Sequence, residues 1–284
     1  MEPFLALLIL ISAALHPVWN ASVKRYERPE EALLAIFVII GFIAAGHVLL
    51  AGYDLMAIGR VWPWLAMSWA GLTLYSTSLA MTLKRGDLSA YYPIARSSPL
   101  FIVAAGFLFL GESYSAALIA GIVLVLAGAF ALQYRRGTRL LDDPLTLTFA
   151  LLAMVGTGIY TIADSRIMRV VEPPVLLVWI QLLVVPSYVL VFRIAGNSVA
   201  GLFAWTRRPL RHIGFAGVCY ASYYLILWVF SQGGDAAAVA SMRQASIPFS
   251  VLVGGLWLKE RDMGLRLAAS MVLGAGIVVI VLAR

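Results

Sequence analysis

The sequence predicts an all-α integral membrane protein, and three observations support this: its composition, its long apolar runs and an internal repeat. Of its 284 residues, 62% are hydrophobic and only 12% are charged, and the mean hydropathy is +0.92. Soluble domains carry about 25% charged residues, so most of this chain is expected to face lipid or other helices. The apolar runs are continuous, whereas the strands of a membrane β-barrel alternate apolar and polar residues.

Ten apolar runs are long enough to cross a bilayer, which requires about 20 residues of helix. We number them spans 1 to 10, and they cover residues 4–23, 32–51, 62–83, 88–110, 114–133, 145–165, 174–194, 210–231, 236–258 and 265–283. The connections between them are short, so we expect no soluble domain.

One segment of the chain occurs twice. The stretch from Gly86 to Glu112 aligns without a gap with the stretch from Gly234 to Glu260. Matching residues inside this frame include Ala90 with Ala238, Ser98 with Ser246, Phe101 with Phe249 and Gly106 with Gly254. We interpret the match as an internal duplication that divides the chain into two five-span halves, residues 1–135 and 145–284.

The basic residues predict the orientation of the halves. Most of the 21 lysines and arginines lie in loops that follow odd-numbered spans, so that side is expected to be the cytoplasm, with both termini outside. Lys84 and Arg85 precede the first copy of the duplicated segment, whereas the uncharged Gln232 and Gly233 precede the second. Such an exchange, with five spans in each half, predicts two inverted repeats around a central cavity.

Two arginines lie deep within spans, Arg96 in span 4 and Arg243 in span 9. An arginine at the bilayer centre costs about 2.5–3.5 kcal/mol, so each is expected to face a water-filled cavity or a partner. A guanidinium binds carboxylate or phosphate through paired hydrogen bonds, which makes both arginines candidate substrate ligands. The alternative is a structural tie to backbone carbonyls near the prolines. Arg96 aligns with Gln244, which is therefore a third candidate.

Aromatic side chains accompany these positions. Tyr92 lies one helical turn before Arg96, and the other candidates for a cavity lining are Tyr75, Tyr224, Trp19 and Tyr160. Such residues provide flat apolar walls with a few hydrogen-bond donors. Ordinary packing between helices, or an aromatic belt at the membrane surface, is the alternative.

Three polar residues inside spans are further candidates, His16 and Asp164 for ion coupling or gating and Asn20 for substrate binding. His16 and Asn20 share one face of span 1, where hydrogen bonding to a neighbouring helix is the alternative to titration of His16 during transport. Asp164 in span 6 is expected either to accept a proton or a substrate amine, or to form a solvated cluster with Arg166 and Arg169. The residues around His16 do not complete a metal site.

Backbone features add further candidates. Pro99 and Pro248 each remove a backbone donor within a span, so spans 4 and 9 are expected to be loosened there and to bend during gating. Gly106 is expected to allow close approach of a neighbouring helix, and Glu112 to make contacts at the end of span 4.

Three strings of the sequence resemble the drug/metabolite transporter superfamily, and most closely its bacterial EamA-type members. They are HPVWNASVK in span 1, YPIARSSPLF…LGE in span 4 and QASIPFS…LKE in span 9. The resemblance covers the whole chain. It implies a ten-helix protein of the bacterial inner membrane that carries small metabolites through a cavity lined mainly by spans 1, 3, 4, 6, 8 and 9.

These observations together predict a secondary transporter of a small polar metabolite, anionic or zwitterionic, such as an amino acid or an organic phosphorus acid. The sequence contains no ATP-binding loop, so we expect an ion gradient or exchange to drive transport, with H⁺ or Na⁺ as the candidate coupling ions. No cofactor and no nucleic-acid partner is expected. The sequence is compatible with a monomer and with a dimer. Export of quaternary or lipophilic cations through an aromatic cage is the alternative, although span 1 lacks the carboxylate that it would need. A membrane-embedded enzyme is a remote alternative, because the sequence contains no nucleophile–base pair.

Overall fold

The structure, a computed structural model, describes residues 1–23, 29–85, 91, 94–133, 143–194, 209–249 and 263–283. The main elements in these ranges are α-helices, one for each predicted span. They are α1 Pro3–Val23, α2 Pro29–Ala51, α3 Trp62–Arg85, α4 Ser98–Phe109, α5 Ala116–Gln133, α6 Pro144–Ile167, α7 Pro173–Ile194, α8 Pro209–Ser231, α9 Ala236–Met242 and α10 Met263–Leu282. Short 3-10 helices, Leu55–Val61 and Arg243–Ala245, precede α3 and follow α9.

The apolar character of the helices agrees with an all-α membrane protein. Four helical segments in the described ranges are long and apolar enough to cross a bilayer: Glu31–Ala51, Pro144–Ile167, Pro173–Ile194 and His212–Ser231. Many large apolar side chains also remain exposed on the outside of the bundle, among them Leu50, Phe109 and Ile194. A protein that places such residues in lipid does not have to bury them.

Acidic residues begin two helices of the second half. The Asp143 carboxylate accepts hydrogen bonds from the Thr146 backbone N–H at 3.0 Å and from the Thr146 hydroxyl at 2.6 Å. Asp235 accepts one from the Ala238 N–H at 2.8 Å. Each carboxylate satisfies a backbone donor that the first turn of a helix leaves without a partner.

Four helix pairs make the most extensive contacts in the described part of the chain: α3 packs along α6, α5 along α10, α1 along α8 and α2 along α7. Glycine allows the closest approach between α3 and α6. A Cβ atom at Gly71 would lie 2.6 Å from the Tyr160 backbone N, and one at Gly156 would lie 2.6 Å from the Tyr75 backbone N. Between α1 and α8, Ser12 and Ser222 each donate a hydroxyl hydrogen bond to the other's carbonyl, at 2.7 and 3.0 Å.

Gly106 does not have the predicted role. A Cβ atom there would overlap the Tyr114 hydroxyl and lie 2.7 Å from Glu112 Oε2, so the glycine makes room for the turn after α4 and not for another helix. Glu112 does make the expected contacts at the end of span 4, because it forms an ion pair with Arg166 and accepts a hydrogen bond from the Tyr114 hydroxyl at 2.7 Å.

Spans 4 and 9 are both interrupted. Residues 94–95 are helical, the chain turns at Arg96, and α4 begins at Ser98 with Pro99 in its first turn. In span 9, α9 gives way to the 3-10 turn Arg243–Ala245 before residues 246–249 become helical again, and this last segment contains Pro248. Pro99 and Pro248 lack the backbone N–H that would bond the carbonyl four residues earlier, at Ala95 and Gln244, and the proline ring crowds that carbonyl, which explains both interruptions. The loosening predicted near these prolines is therefore present, whereas bending during gating stays a prediction.

The first and last helices end close to each other. The amino group of Met1 donates a hydrogen bond to the carbonyl of Val281 at 2.8 Å. The beginning of α1 and the end of α10 therefore lie at the same end of the bundle.

Candidate functional site

Arg96 holds the two interrupted spans together. Its Nε donates to Gln244 Oε1 at 3.2 Å and its Nη2 donates to the Ser246 hydroxyl at 2.6 Å. In return, Gln244 Nε2 donates to the Arg96 carbonyl at 2.9 Å. Gln244 is the residue that aligns with Arg96 in the repeat, so equivalent positions of the two halves meet here. We call Arg96, Gln244 and Ser246 the interruption contact.

His16 joins this contact from α1. Its Nε2 lies 3.4 Å from Arg96 Nη1. The Arg96 side chain is half-buried and is held by side chains from α1 and span 9, so it does not face lipid. In the contacts above, the partners of the guanidinium are side chains, whereas the structural alternative in the sequence analysis was a tie to backbone carbonyls.

Asp164 lies in a second cluster, between α3, α6 and α8. Its side chain is only 1% exposed. The Ser68 hydroxyl of α3 donates to Oδ1 at 2.6 Å, and the Tyr223 hydroxyl of α8 donates to Oδ2. The prediction that Asp164 forms a solvated cluster with Arg166 is therefore wrong, because Arg166 pairs with Glu112 instead.

Three tyrosines lie on the helices that hold this carboxylate, and Tyr223 bonds it directly. Tyr75 of α3 and Tyr160 of α6 meet edge to face, with ring centroids 5.8 Å apart, and Tyr223 interacts electrostatically with Tyr160. Together with Ser68 and Asp164, these three tyrosines form what we call the Asp164 cluster. The sequence analysis selected Tyr75 and Tyr160 as well as Asp164, and the structure brings all three together.

Arg243 lies in the 3-10 turn after α9. The Arg243 side chain is half-buried, and no hydrogen bond joins it to another side chain in the described part of the chain. The two deep arginines therefore differ, because side-chain hydrogen bonds hold Arg96 and none of the described ones holds Arg243.

A third group of aromatic residues contains Tyr224. The Tyr220 and Tyr224 rings stack with centroids 6.0 Å apart, and the His47 ring lies 5.5 Å from that of Tyr224. His47 Nδ1 also lies 2.7 Å from the Tyr220 hydroxyl. These side chains are half-buried, and Tyr53 packs against His47 at 6.1 Å. Tyr224 thus belongs to a group separate from the Asp164 cluster.

The sequence analysis missed His47 and Ser68 as site residues. The signal was present, since each is a polar residue inside an apolar span, but span 3 alone contains several serines and threonines. Thr77 and Thr82, for example, donate their hydroxyls to carbonyls of their own helix, at 2.7 and 2.9 Å. Only the fold distinguishes a hydroxyl directed at another helix from one bonded within its own.

The Glu112–Arg166 ion pair lies at the helix ends, with Tyr114 beside it. Burial and then the hydrogen bond to Glu112 raise the pKa of the Tyr114 hydroxyl. This group connects the end of α4 in the first half with the end of α6 in the second half.

Some predicted residues cannot be placed. Tyr92 and the side chains of Trp19 and Asn20 lie outside the described residues. Among the side chains that are described, no group of three or more His, Cys, Asp and Glu residues is arranged to hold a metal ion.

Comparison with known proteins places the fold but not the activity. No family model matches the chain, and no curated protein matches it. Chains of solved structures do match, and one is a crystal structure that superposes with a TM-score of 0.76. The match covers 99% of this chain and 98% of that one, at 20% sequence identity. The chain therefore shares an all-helical fold that is already known from a crystal structure.

Proposed function

We propose that this chain is a secondary transporter of the drug/metabolite type, with ten spans in two inverted repeats. It carries a small anionic or zwitterionic metabolite, such as an amino acid or an organic phosphorus acid, across the bacterial inner membrane by alternating access. Both termini lie outside the cytoplasm in this arrangement. The observation that carries the proposal is that both interrupted spans place an arginine at the interruption.

The helix pairing supports the inverted repeat. If α1–α5 are exchanged for α6–α10 in order, the α3–α6 pair becomes α8–α1, and the α2–α8 pair becomes α7–α3. The pairs α2–α7, α4–α9 and α5–α10 are unchanged by the exchange, and all of these pairs are in contact. A two-fold relation between the halves requires that each contacting helix pair maps onto another contacting pair or onto itself. The contact between Met1 and Val281 agrees with an even number of spans.

The interruptions support a binding role. Non-helical backbone inside a membrane is tolerated where protein or a water-filled cavity surrounds it. In secondary transporters, broken helices at the interface of two repeats supply the binding site for substrate and coupling ion. Here Arg96 and Arg243 occupy such positions, and the contact between Arg96 and Gln244 lies at the interface of the halves.

The two arginines are assigned different parts. Hydrogen bonds already engage Nε and Nη2 of Arg96, and Nη1 faces His16. Arg243 retains its donors for a substrate carboxylate or phosphate, which it can bind through two parallel hydrogen bonds. Arg243 is therefore the main anion ligand in our proposal, and Arg96 joins the halves beside it.

A thermal-shift screen of the detergent-purified protein against small acids, amino acids and organic cations tests the proposal. Acids or amino acids are expected to raise the melting temperature of the wild type. Arg243→Gln should abolish that shift and Arg96→Gln should reduce it, whereas Arg60→Gln, at an exposed residue before α3, should retain it. Stabilisation by cations alone, or an unchanged shift in Arg243→Gln, would contradict the assignment.

One observation favours cation export as a second candidate. That function needs a carboxylate within the membrane, and Asp164 is such a group, between helices that carry Tyr75, Tyr160 and Tyr223. Cations interact favourably with aromatic faces. Both oxygens of this carboxylate already accept hydroxyl hydrogen bonds, which is why we place this function second. The same screen separates the two candidates.

A further inference from the structure

We propose that the turn between α6 and α7, residues 167–171, is the outer gate of the transport pathway, and that the ion pair between Arg166 and Glu112 holds it shut. We call these residues the outer turn, because the end of α6 faces the outside in the proposed topology. The inference rests on the proposed function, since it assigns the element that opens and closes one side of the same site.

The outer turn is buried, although it connects two helices. Such connections normally run over the surface of a protein and are exposed. Here Ile167, Met168 and Val171 are 0%, 3% and 6% exposed, and within the turn only Arg169 and Val170 reach the surface. Three large apolar side chains therefore occupy the interior at this end of the bundle, where an open pathway would hold water.

The Asp164 cluster lies directly beneath this turn. Asp164 is three residues before the end of α6, or about 4.5 Å along the helix axis, and its carbonyl accepts a hydrogen bond from the Met168 N–H at 2.9 Å. Ser68, which bonds Asp164, is about 9 Å from the start of α3, so α3 begins at this end of the bundle as well. The Asp164 side chain is nevertheless only 1% exposed, and a carboxylate is rarely so buried. The pathway from this end to the cluster is therefore closed.

The outer turn forms one hydrogen-bonded unit with the helices on either side of it. The N–H groups of Val170 and Val171 both donate to the Ile167 carbonyl, at 2.9 and 3.1 Å. The Val175 N–H at the start of α7 donates to the Glu172 carbonyl at 3.0 Å. The turn can therefore leave its position by moving together with the ends of α6 and α7, without unfolding.

The ion pair fastens this unit to the first half of the chain. Arg166, the residue before the turn, pairs with Glu112 at the end of span 4, and the Tyr114 hydroxyl donates to Glu112 Oε2 at 2.7 Å. The two charged side chains are 22% and 30% exposed, so water can replace each partner when the pair separates. A partly exposed ion pair changes an equilibrium by about 1.5- to 5-fold, which suits a contact that must open in every transport cycle.

The test measures how often the gate opens. One cysteine is placed in the turn, by Met168→Cys, and in a separate protein one is placed beneath it, by Ser68→Cys; both full-length proteins also carry Cys219→Ala, which removes the native thiol. Intact cells that express each protein are treated with a membrane-impermeant maleimide, and the rate of modification is followed. This rate is proportional to the open fraction when opening and closing are fast relative to modification.

Loss of the ion pair should raise the rate at both cysteines. Arg166→Gln and Glu112→Gln are each expected to increase it by about 1.5- to 5-fold. The double variant should show no further increase, because either single change already breaks the pair. Arg169→Gln is the matched control, since it removes a charge from an exposed residue of the same turn, and it should leave both rates unchanged. The exchanged pair, Arg166→Glu with Glu112→Arg, should return both rates towards the wild type.

Three results would overturn the inference. The first is an unchanged rate in both neutral variants. The second is an increase at Met168→Cys alone, which would mean that the turn frays without opening the pathway. The third is modification only after the cells are permeabilised, since the turn would then face the cytoplasm. If Ser68→Cys does not fold, Ser165→Cys replaces it, because the buried Ser165 hydroxyl donates to the Ile162 carbonyl of its own helix.

The modification requires no substrate, so its outcome is separate from that of the thermal-shift screen. Acids or amino acids that stabilise the protein, combined with unchanged modification rates, would leave the transporter proposal standing and remove the gate. The expected rates, combined with stabilisation by cations alone, would leave the gate standing and remove the anion substrate.

Discussion

Replacement of Gly71 by alanine should separate α3 from α6 and disturb the Asp164 cluster. Gly71 shares a face of α3 with Ser68 and Tyr75, which lie three residues before it and four after it. On α6, Gly156, Tyr160 and Asp164 are likewise spaced four residues apart. The closest contact between these helices is therefore on the same faces as the cluster.

The magnitude follows from the distances. A Cβ atom at Gly71 would lie 2.6 Å from the Tyr160 backbone N and 2.9 Å from the Gly156 carbonyl oxygen, and ordinary contact begins at 3.4 Å. Both obstacles are backbone atoms and cannot rotate away, so the helices must separate by several tenths of an ångström. Overpacking of this kind costs about 1–3 kcal/mol. The helix propensity gained by replacing glycine offsets at most about 1 kcal/mol of that loss.

The assay is the melting temperature of the detergent-purified variant. A net loss of about 1–2 kcal/mol corresponds to a fall of roughly 2–8 °C, at 2–4 °C per kcal/mol for a chain of about this size. Gly46→Ala in α2 is the matched control, because a Cβ atom there would meet nothing within 4 Å. We expect its melting temperature to be unchanged or higher. Equal melting temperatures for the two variants would refute the inference that α3 and α6 are in backbone contact.

Two further predictions concern the contacts between the halves. Gln244→Ala removes two hydrogen bonds to Arg96, and Ser246→Ala removes one. Because such bonds within membranes average about 0.6 kcal/mol and reach about 1.7, reversible unfolding should show a loss of about 1–2 kcal/mol for Gln244→Ala and about 1 kcal/mol for Ser246→Ala. A larger loss for Ser246→Ala than for Gln244→Ala would contradict the assignment. For Tyr114, the folded protein keeps its phenolic proton above pH of about 10, where the unfolded chain releases it, so the stability contributed by this group falls as pH rises. The melting temperature of the wild type should therefore approach that of Tyr114→Phe between pH 9 and 11, whereas a constant difference would show that Tyr114 ionises normally.

Much of the fold was predictable because lipid imposes simple requirements on a sequence. A helix that crosses a bilayer needs about 20 apolar residues, and the described helices follow the ten predicted runs. The interruptions near Pro99 and Pro248 were predictable too, because proline limits the helix locally, whatever surrounds it. The role of Gly106 was not predictable, because a glycine in the sequence indicates a crowded position but does not identify the atoms that crowd it.

The candidate site was predictable as a set of residue types and not as an arrangement. Arg96, Arg243 and Asp164 are conspicuous because charge inside an apolar span is costly, and the cost is evident from sequence. Their partners are distant in the chain, however: Arg96 bonds Gln244, and Asp164 bonds Ser68 and Tyr223. Proximity in sequence suggested Arg166 as a partner for Asp164, and the helix packing pairs Arg166 with Glu112 instead.

The sequence by itself determined the helices, their apolar character and the short list of polar residues inside them, because each depends on transfer of nearby groups from water to lipid. Only the tertiary structure decided that Arg96 is held by hydrogen bonds from span 9 and that Asp164 accepts hydrogen bonds from Ser68 and Tyr223. Hydrogen bonds depend on distances of a few tenths of an ångström between helices. Such distances arise from how Gly71 and Gly156 let two helices meet, which no local pattern of residues specifies.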